Sequence, residues 1–222
     1  MNKAKVITTK CTACNHPEFL LEYETTIPQP DVDIFVSFLE QSVENGTRFE
    51  DGQTIALGSM LILLSTKDNL LVLQEPDMKS FPISWEVGIS HTMKLLRLQK
   101  DIADSVRLGH DIDPPSIDSS IVVGVDMTDG LDAFVLERMD PDRPYSGWIA
   151  GRLDSEINYN EEESLFLLSV YQAILKWPLI AGFLALPVGC HIASSRQSTI
   201  ISRNGMPLEI QKGSFLDVLR GV

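Results

Sequence analysis

Apolar and polar residues recur along the first half of the chain in patterns that predict strands followed by a helix. Two short strands are predicted over residues 5–9 and 19–25. The helix begins at Pro30 and ends near Gly46, a residue type that commonly terminates helices. Its apolar positions fall on one face, and the predicted buried side chains are Val32, Phe35, Leu39 and Val43.

A hairpin and a second helix are predicted next. Residues 54–65 are rich in strand-forming apolar side chains, residues 67–69 read as a turn, and residues 70–74 form the returning strand. The helix spans residues 90–108, with Ser90 as its predicted N-cap. The side chains predicted to face the core are Leu95, Leu98, Ile102 and Val106.

The second half mixes the same two patterns. Residues 121–127 and 131–139 alternate around Asp129-Gly130, which predicts a β-hairpin. Residues 161–177 are predicted to form a helix that begins with glutamates, favoured at the positive end of the helix dipole. Asn204-Gly205 predicts one more turn near the end of the chain.

A polar, proline-containing segment, His110–Ser120, separates the two halves. We expect an N-terminal domain over residues 1–110, a linker over 111–118 and a C-terminal domain over 119–222. The predicted fold class is α/β of the α+β kind. Each half would combine mostly antiparallel strands with helices packed on them.

Charge narrows the possible partners. Lys and Arg number 18 against 31 Asp and Glu, a formal net charge of -13. Nucleic acids and anionic membranes require clustered basic residues, so neither is an expected partner. An acidic chain favours a basic protein partner through electrostatic steering. No secretory signal is visible and no apolar stretch approaches the roughly 20 residues of a membrane span, which predicts a cytoplasmic protein.

Motifs that carry catalysis are missing from the sequence, which contains no phosphate-binding glycine loop, dinucleotide fingerprint or zinc-protease HExxH. We therefore expect a protein that is not an enzyme and carries no cofactor. Cys11, Cys14 and His16 are a weak candidate for zinc, because a fourth ligand is needed and the sequence has no second Cys-x-x-Cys. Cys190-His191 could supply that ligand only if the two halves touch there. The expectation is that the three residues bind no metal.

Trp148 lies in a stretch rich in turn residues, beside Tyr145, Ser146 and Gly147. A large aromatic side chain there is either an anchor for a protein partner or a plug that closes the core. The sequence alone leaves both roles open.

Residues 134–193 resemble the immunity-protein domain, the thirty-third of its series, that accompanies bacterial polymorphic toxins. The shared pattern comprises an apolar strand ending in Glu137-Arg138-Met139, then Asp140-Pro141, Tyr145-Ser146-Gly147-Trp148, Gly151, Asp154, Glu156 and Leu186-Pro187-Val188-Gly189. The resemblance implies a bacterial cytoplasmic protein that protects its producer by binding a cognate toxin. It implies no catalytic residue.

Acidic side chains around Trp148 are the expected contacts to such a toxin, whose surface we expect to be basic. The predicted partner-binding residues are Asp140, Asp142, Tyr145, Trp148, Asp154, Glu156, Glu161, Glu162 and Glu163. Two other functions remain open, an adaptor or chaperone that loads a secreted effector, and a hydrolase using acidic residues. Rescue of cells from toxin expression would separate inhibitor from adaptor.

Overall fold

The computed structural model describes residues 2–128, 133–159 and 161–220. The chain divides into two compact units, Met1–Lys94 and Leu95–Val222. Each unit has its own sheet, and most strand pairs are antiparallel, so the predicted α+β class is confirmed. Within the described ranges, no helix has the length and apolar character needed to cross a membrane.

The first unit contains one sheet and one complete helix. Its elements are β1 (Lys3–Ile7), β2 (Glu18–Glu24), α1 (Gln29–Glu44), β3 (Thr54–Leu57), β4 (Met60–Lys67), β5 (Leu70–Pro76) and β6 (Trp85–Val87), followed by the beginning of α2 (Ser90–Ser105). The strands lie in the order β1-β2-β5-β4-β3, with β6 also paired to β5. Only β2 and β5 pair in parallel among them.

The predicted turn between β4 and β5 is confirmed. Asp68 and Asn69 both have positive φ, of 52° and 62°, as the tight turn of a hairpin requires. The predicted long strand over 54–65 is two strands, because the chain reverses at Gly58, where φ is 57°. The signal for that reversal is Gly58-Ser59, which lies between two apolar runs, and a two-residue loop that begins with glycine is typical of a β-hairpin.

Helix α1 matches its prediction closely. Its predicted apolar face is buried, with Val32, Phe35, Leu39 and Val43 each at most 3% exposed. Helix α2 begins at Ser90, but the Ser90 hydroxyl accepts the N–H of Glu24 rather than capping the helix. The N–H groups of the first turn are instead accepted by the carboxylate of Glu75.

A buried polar network ties the start of β2 to the segment before it. Glu18 is 9% exposed, and its carboxylate accepts the Thr8 hydroxyl at 2.5 Å and the Thr12 N–H at 2.8 Å. Burial alone would raise the pKa of Glu18, but these hydrogen bonds outweigh it and lower the pKa below its ordinary value of 4.5. The charged carboxylate is therefore the form that stabilises the fold.

The second unit contains a seven-stranded sheet within its described residues. Its elements after α2 are β7 (Ser120–Gly124), β8 (Phe134–Arg138), β9 (Tyr145–Arg152), β10 (Leu165–Ser169), α3 (Val170–Lys176), β11 (Cys190–Ser194), β12 (Thr199–Arg203), β13 (Met206–Pro207) and α4 (Phe215–Arg220). The strand order is β10-β7-β9-β8-β11-β12-β13. The predicted turn at Asn204-Gly205 is present between β12 and β13.

The predicted hairpin of residues 121–127 and 131–139 does not form. Strand β9 lies between β7 and β8, pairing in parallel with β7 and antiparallel with β8. The proposed turn at Asp129-Gly130 lies outside the described residues. The alternation correctly marks strands, but the choice of pairing partner depends on β9, which comes later in the chain.

The predicted helix over 161–177 is only half correct. Residues 162–164 form a single 3₁₀ turn, residues 165–169 form strand β10, and α3 begins at Val170. Ser169 and Gln172 form a reciprocal capping box that fixes this start. A run of four apolar residues, 165–168, suits a strand as well as a helix, so periodicity could not separate them.

The predicted linker is part of the second unit, and the division between units falls earlier, at Lys94 and Leu95. Ile117 is fully buried and its carbonyl accepts the N–H of Tyr171. The N–H of Asp113 donates to the carbonyl of Ala185. Prolines and serines here form an ordered connection that is hydrogen-bonded to α3 and to the segment after it, which their composition could not reveal.

We expect Glu18→Gln to destabilise the first unit by about 1–3 kcal/mol at neutral pH, because one amide N–H₂ must then face a hydrogen-bond donor. The difference from the parent should shrink as pH falls below 4.5, since protonation of Glu18 removes the same charge. Urea unfolding at pH 7 and pH 3.5 measures the difference in unfolding free energy between variant and parent at each pH, with the exposed Glu50→Gln as control. An equal deficit at the two pH values would contradict the ionised-carboxylate assignment.

Candidate partner-binding site

Trp148 is a core residue of the second unit. Its side chain is 1% exposed, and its indole N–H donates to the carbonyl of Leu184 at 2.9 Å. The guanidinium carbon of Arg138 lies 5.3 Å from its ring centroid, a cation–π distance. Of the two roles left open by the sequence, the core plug is confirmed, and Trp148 has almost no surface to offer a partner.

Gly147, directly before Trp148, occupies a position that favours glycine. Its φ is +79°, and a Cβ added there would lie 2.3 Å from the carbonyl oxygen of Met139. The Gly147 carbonyl in turn accepts the Met139 N–H at 2.8 Å, so the backbones of β8 and β9 are closely apposed. The Ser-Gly-Trp sequence therefore builds the junction of two strands rather than an exposed recognition motif.

Arg138 borders a polar cavity of about 680 Å³ near the start of β9. The side chain is 2% exposed, and Nη2 donates to the Asp113 carboxylate at 2.9 Å. Burial lowers the pKa of Arg138, although Asp113 opposes this shift, and a guanidinium stays charged at neutral pH. Asp113 and Asp118 face Arg138 and Arg143 around the cavity, so its lining has no excess of either charge.

The nine predicted contact residues do not form one patch. Asp140 and Asp142 precede β9 and Tyr145 begins it, whereas the other acidic residues follow its end. An eight-residue strand is about 23 Å long, so its two ends cannot both lie under one small contact. The acidic residues after β9 are Asp154, Glu156, Glu161, Glu162 and Glu163, and all are exposed.

These five carboxylates lie at one edge of the sheet. Leu165, which begins β10, pairs with Gly124 at the end of β7, and β7 pairs in parallel with β9. The segments that follow β7 and β9 and precede β10 therefore meet at the same edge. We name as the acidic edge Val125, Leu153, Asp154, Glu156 and Glu161–Glu163.

Tyr159 holds the segment after β9 against the sheet. Its ring covers Gly124 and Gly151, where an added Cβ would lie 2.6 Å and 2.5 Å from ring carbons. Its hydroxyl donates to Asp126 at 2.7 Å and accepts the N–H of Arg152 at 2.9 Å. Burial and the Asp126 carboxylate both raise the pKa of Tyr159, which keeps the phenol protonated and able to donate.

Charge at the acidic edge is only partly compensated within the chain. Asp154 is paired with Arg152 at 2.6 Å, and this hydrogen bond lowers the pKa of Asp154. Between positions 152 and 163 there are five carboxylates and one arginine. Two apolar side chains are exposed among these acids, Val125 at 49% and Leu153 at 41%. Protein interfaces commonly combine an apolar centre with a polar rim, and this edge supplies side chains of both kinds.

Cys11, Cys14 and His16 do not assemble a zinc site. His16 Nε2 accepts the Phe49 N–H at 3.0 Å, so its proton is on Nδ1, which donates to the Pro17 carbonyl at 2.7 Å. Both ring nitrogens are therefore used inside the protein. Burial raises the pKa of the Cys11 thiol to about 11, which disfavours the thiolate that zinc requires. Cys190 is buried in the second unit and its pKa is likewise raised by burial to about 11.

Sequence reasoning missed Tyr159 and Asp126, which position the acidic edge. The available signal was the pair Gly124 and Gly151, because glycine within a strand often marks the close approach of another group. What that group is depends on the parallel pairing of β7 with β9, which brings the two glycines together.

No protein-family model, curated protein or solved structure matches this chain.

We expect Gly147→Ala to lower the free energy of unfolding by about 3 kcal/mol or more, because it adds both backbone strain and a clash with Met139. Gly205→Ala is the matched control. Its φ of +77° is nearly the same, but no atom lies within 4 Å of the added Cβ. A cost of about 1 kcal/mol is expected there. Equal losses in chemical denaturation would show that the Met139 contact is unimportant.

Tyr159→Phe should cost about 1–2 kcal/mol, since the ring stays on its glycines while two hydrogen bonds are lost. Urea unfolding measures the cost, and faster amide exchange at Arg152 would localise it. Tyr145→Phe serves as control because Tyr145 is 44% exposed. An unchanged stability and unchanged exchange in Tyr159→Phe would mean that Tyr159 does not hold the acidic edge.

Proposed function

We propose that this chain is an immunity protein, which neutralises a cognate bacterial toxin by stoichiometric binding through the acidic edge. The proposal rests on this edge, where exposed carboxylates and the exposed apolar side chains of Leu153 and Val125 lie at the same end of the sheet. The Tyr159 ring and the Asp126 carboxylate order the segment before a partner arrives. Preorganisation lowers the entropic cost of binding.

Charge supports a basic partner. With a net charge of -13, the whole chain attracts cations, and the exposed carboxylates at the acidic edge concentrate that negative potential. Toxins that attack nucleic acids or nucleotides commonly carry basic clefts, which such an edge could cover. The resemblance of residues 134–193 to a polymorphic-toxin immunity domain is the reason for proposing a toxin as this partner, and no family model matches the chain.

Two roles are assigned to different residues of the edge. Carboxylates set the association rate by steering, whereas desolvated apolar side chains set the dissociation rate. Leu153 is the proposed apolar contact, a part that Trp148 cannot play because it is buried. Asp154 is a poor choice for mutation, since its pairing with Arg152 also orders the loop.

The test first expresses the products of the neighbouring genes to identify one that is toxic and that the parent chain binds. Glu156→Lys with Glu162→Lys is then compared with the parent against that product. We expect association to slow at least several-fold, with a smaller change in dissociation, measured by surface plasmon resonance. Raising salt from low to about 0.15 M should slow the parent several-fold and the variant less, because screening acts on the steering charges.

The matched control is Asp140→Lys with Asp142→Lys, which makes the same charge change at the other end of β9. Melting temperatures of both variants should match the parent. If the control loses binding and the Glu156/Glu162 variant keeps it, the contact lies at the start of β9. Binding without rescue of toxin-expressing cells would indicate an effector-loading adaptor instead of an immunity protein.

A further inference from the structure

Three potential metal ligands converge in the first unit, apart from the acidic edge. Glu75 lies on β5, Glu86 lies directly opposite it on β6, and His91 is in the first turn of α2. One oxygen of each carboxylate and a ring nitrogen of His91 all lie within 4.8 Å of one another. The group comes from three successive elements that the fold brings together.

Glu75 accepts hydrogen bonds from the start of α2, and these bonds leave it able to bind a cation. It is 1% exposed, and its two oxygens accept the N–H groups of His91 at 3.0 Å and Thr92 at 2.7 Å. A carboxylate has about four lone-pair sites, so these two bonds leave one free on each oxygen. The neighbouring Thr92 hydroxyl is also buried and makes no hydrogen bond to the described residues.

The spacing of Glu86 and His91 suits a small divalent ion. Glu86 Oε1 is 3.2 Å from His91 Nε2. Two ligands of a tetrahedral zinc ion, each bonded at about 2.0–2.1 Å, are separated by about 3.3 Å. Both side chains are 39% exposed, so a metal can enter from solvent. Lys79 is the cation beside Glu86, but it is 3.7 Å away and 71% exposed, which makes it easy to displace.

We propose that Glu75, Glu86 and His91 bind one divalent transition-metal ion of the zinc class, with water completing the coordination. An imidazole ligand favours zinc, cobalt or nickel over magnesium and calcium, which prefer oxygen ligands alone. The ion offsets two carboxylates that face each other across β5 and β6. It also joins these strands to the start of α2, so its effect is to stabilise the first unit.

The experiment is a titration of the metal-free full chain with ZnCl₂ by isothermal calorimetry, alongside CoCl₂ followed by visible absorption. We expect one equivalent to bind and the melting temperature to rise with zinc concentration. MgCl₂ at the same concentrations should produce neither effect. His91→Ala should weaken zinc binding at least about tenfold, since even residues outside the coordination sphere commonly contribute that much.

The melting temperature without metal shows whether each variant is folded. His91→Ala keeps the backbone N–H that donates to Glu75, so its melting temperature should match that of the parent. Glu86→Gln is the second variant and should weaken zinc binding equally. Cys14→Ser and the exposed His191→Ala are controls that should bind zinc as the parent does. Absence of zinc binding, or an affinity unchanged in both His91→Ala and Glu86→Gln, would overturn the proposal. Loss of binding in Cys14→Ser alone would do the same by moving the metal elsewhere.

Discussion

Strand β9 is inserted between β7 and β8, and the second unit depends on the close packing this allows. Trp148 points from β9 into the core, where its indole N–H reaches Leu184 and its ring meets Arg138. Gly147 permits the backbone of β9 to approach Met139 closely enough for this geometry. A parallel neighbour on one side and an antiparallel neighbour on the other then fix which segments meet at each end of the sheet.

This packing gives a structural reason for several residues of the Glu137–Gly151 pattern on which the sequence-based expectation of an immunity domain rested. Arg138, Gly147, Trp148 and Gly151 are explained by burial, close backbone approach or contact with Tyr159. These residues stabilise the sheet and its core. The surface available to a partner comes from the segments that the sheet positions. The acidic edge is such a surface, because Tyr159 fixes it from beneath while its carboxylates stay in solvent.

In the first unit, the buried Glu75 carboxylate positions a helix, as Tyr159 positions the acidic edge in the second. Its carboxylate binds the first turn of α2, although Ser90 had the better sequence signal for a cap. The same placement sets it opposite Glu86 and beside His91. One buried carboxylate thus binds the start of a helix and lies beside two further potential metal ligands, and neither arrangement can be read from residues 75, 86 and 91 separately.

Elements whose signals are local could be read from the amino-acid sequence. The apolar face of α1 and the turns at Asp68-Asn69 and Asn204-Gly205 follow from spacing and backbone preferences within a few residues. The pairing of β7 with β9, the strand at residues 165–169 and the burial of Trp148 are visible only in the folded chain. Strand pairing and burial depend on segments distant in the chain, and an apolar run satisfies a strand or a helix equally until a neighbouring element covers it.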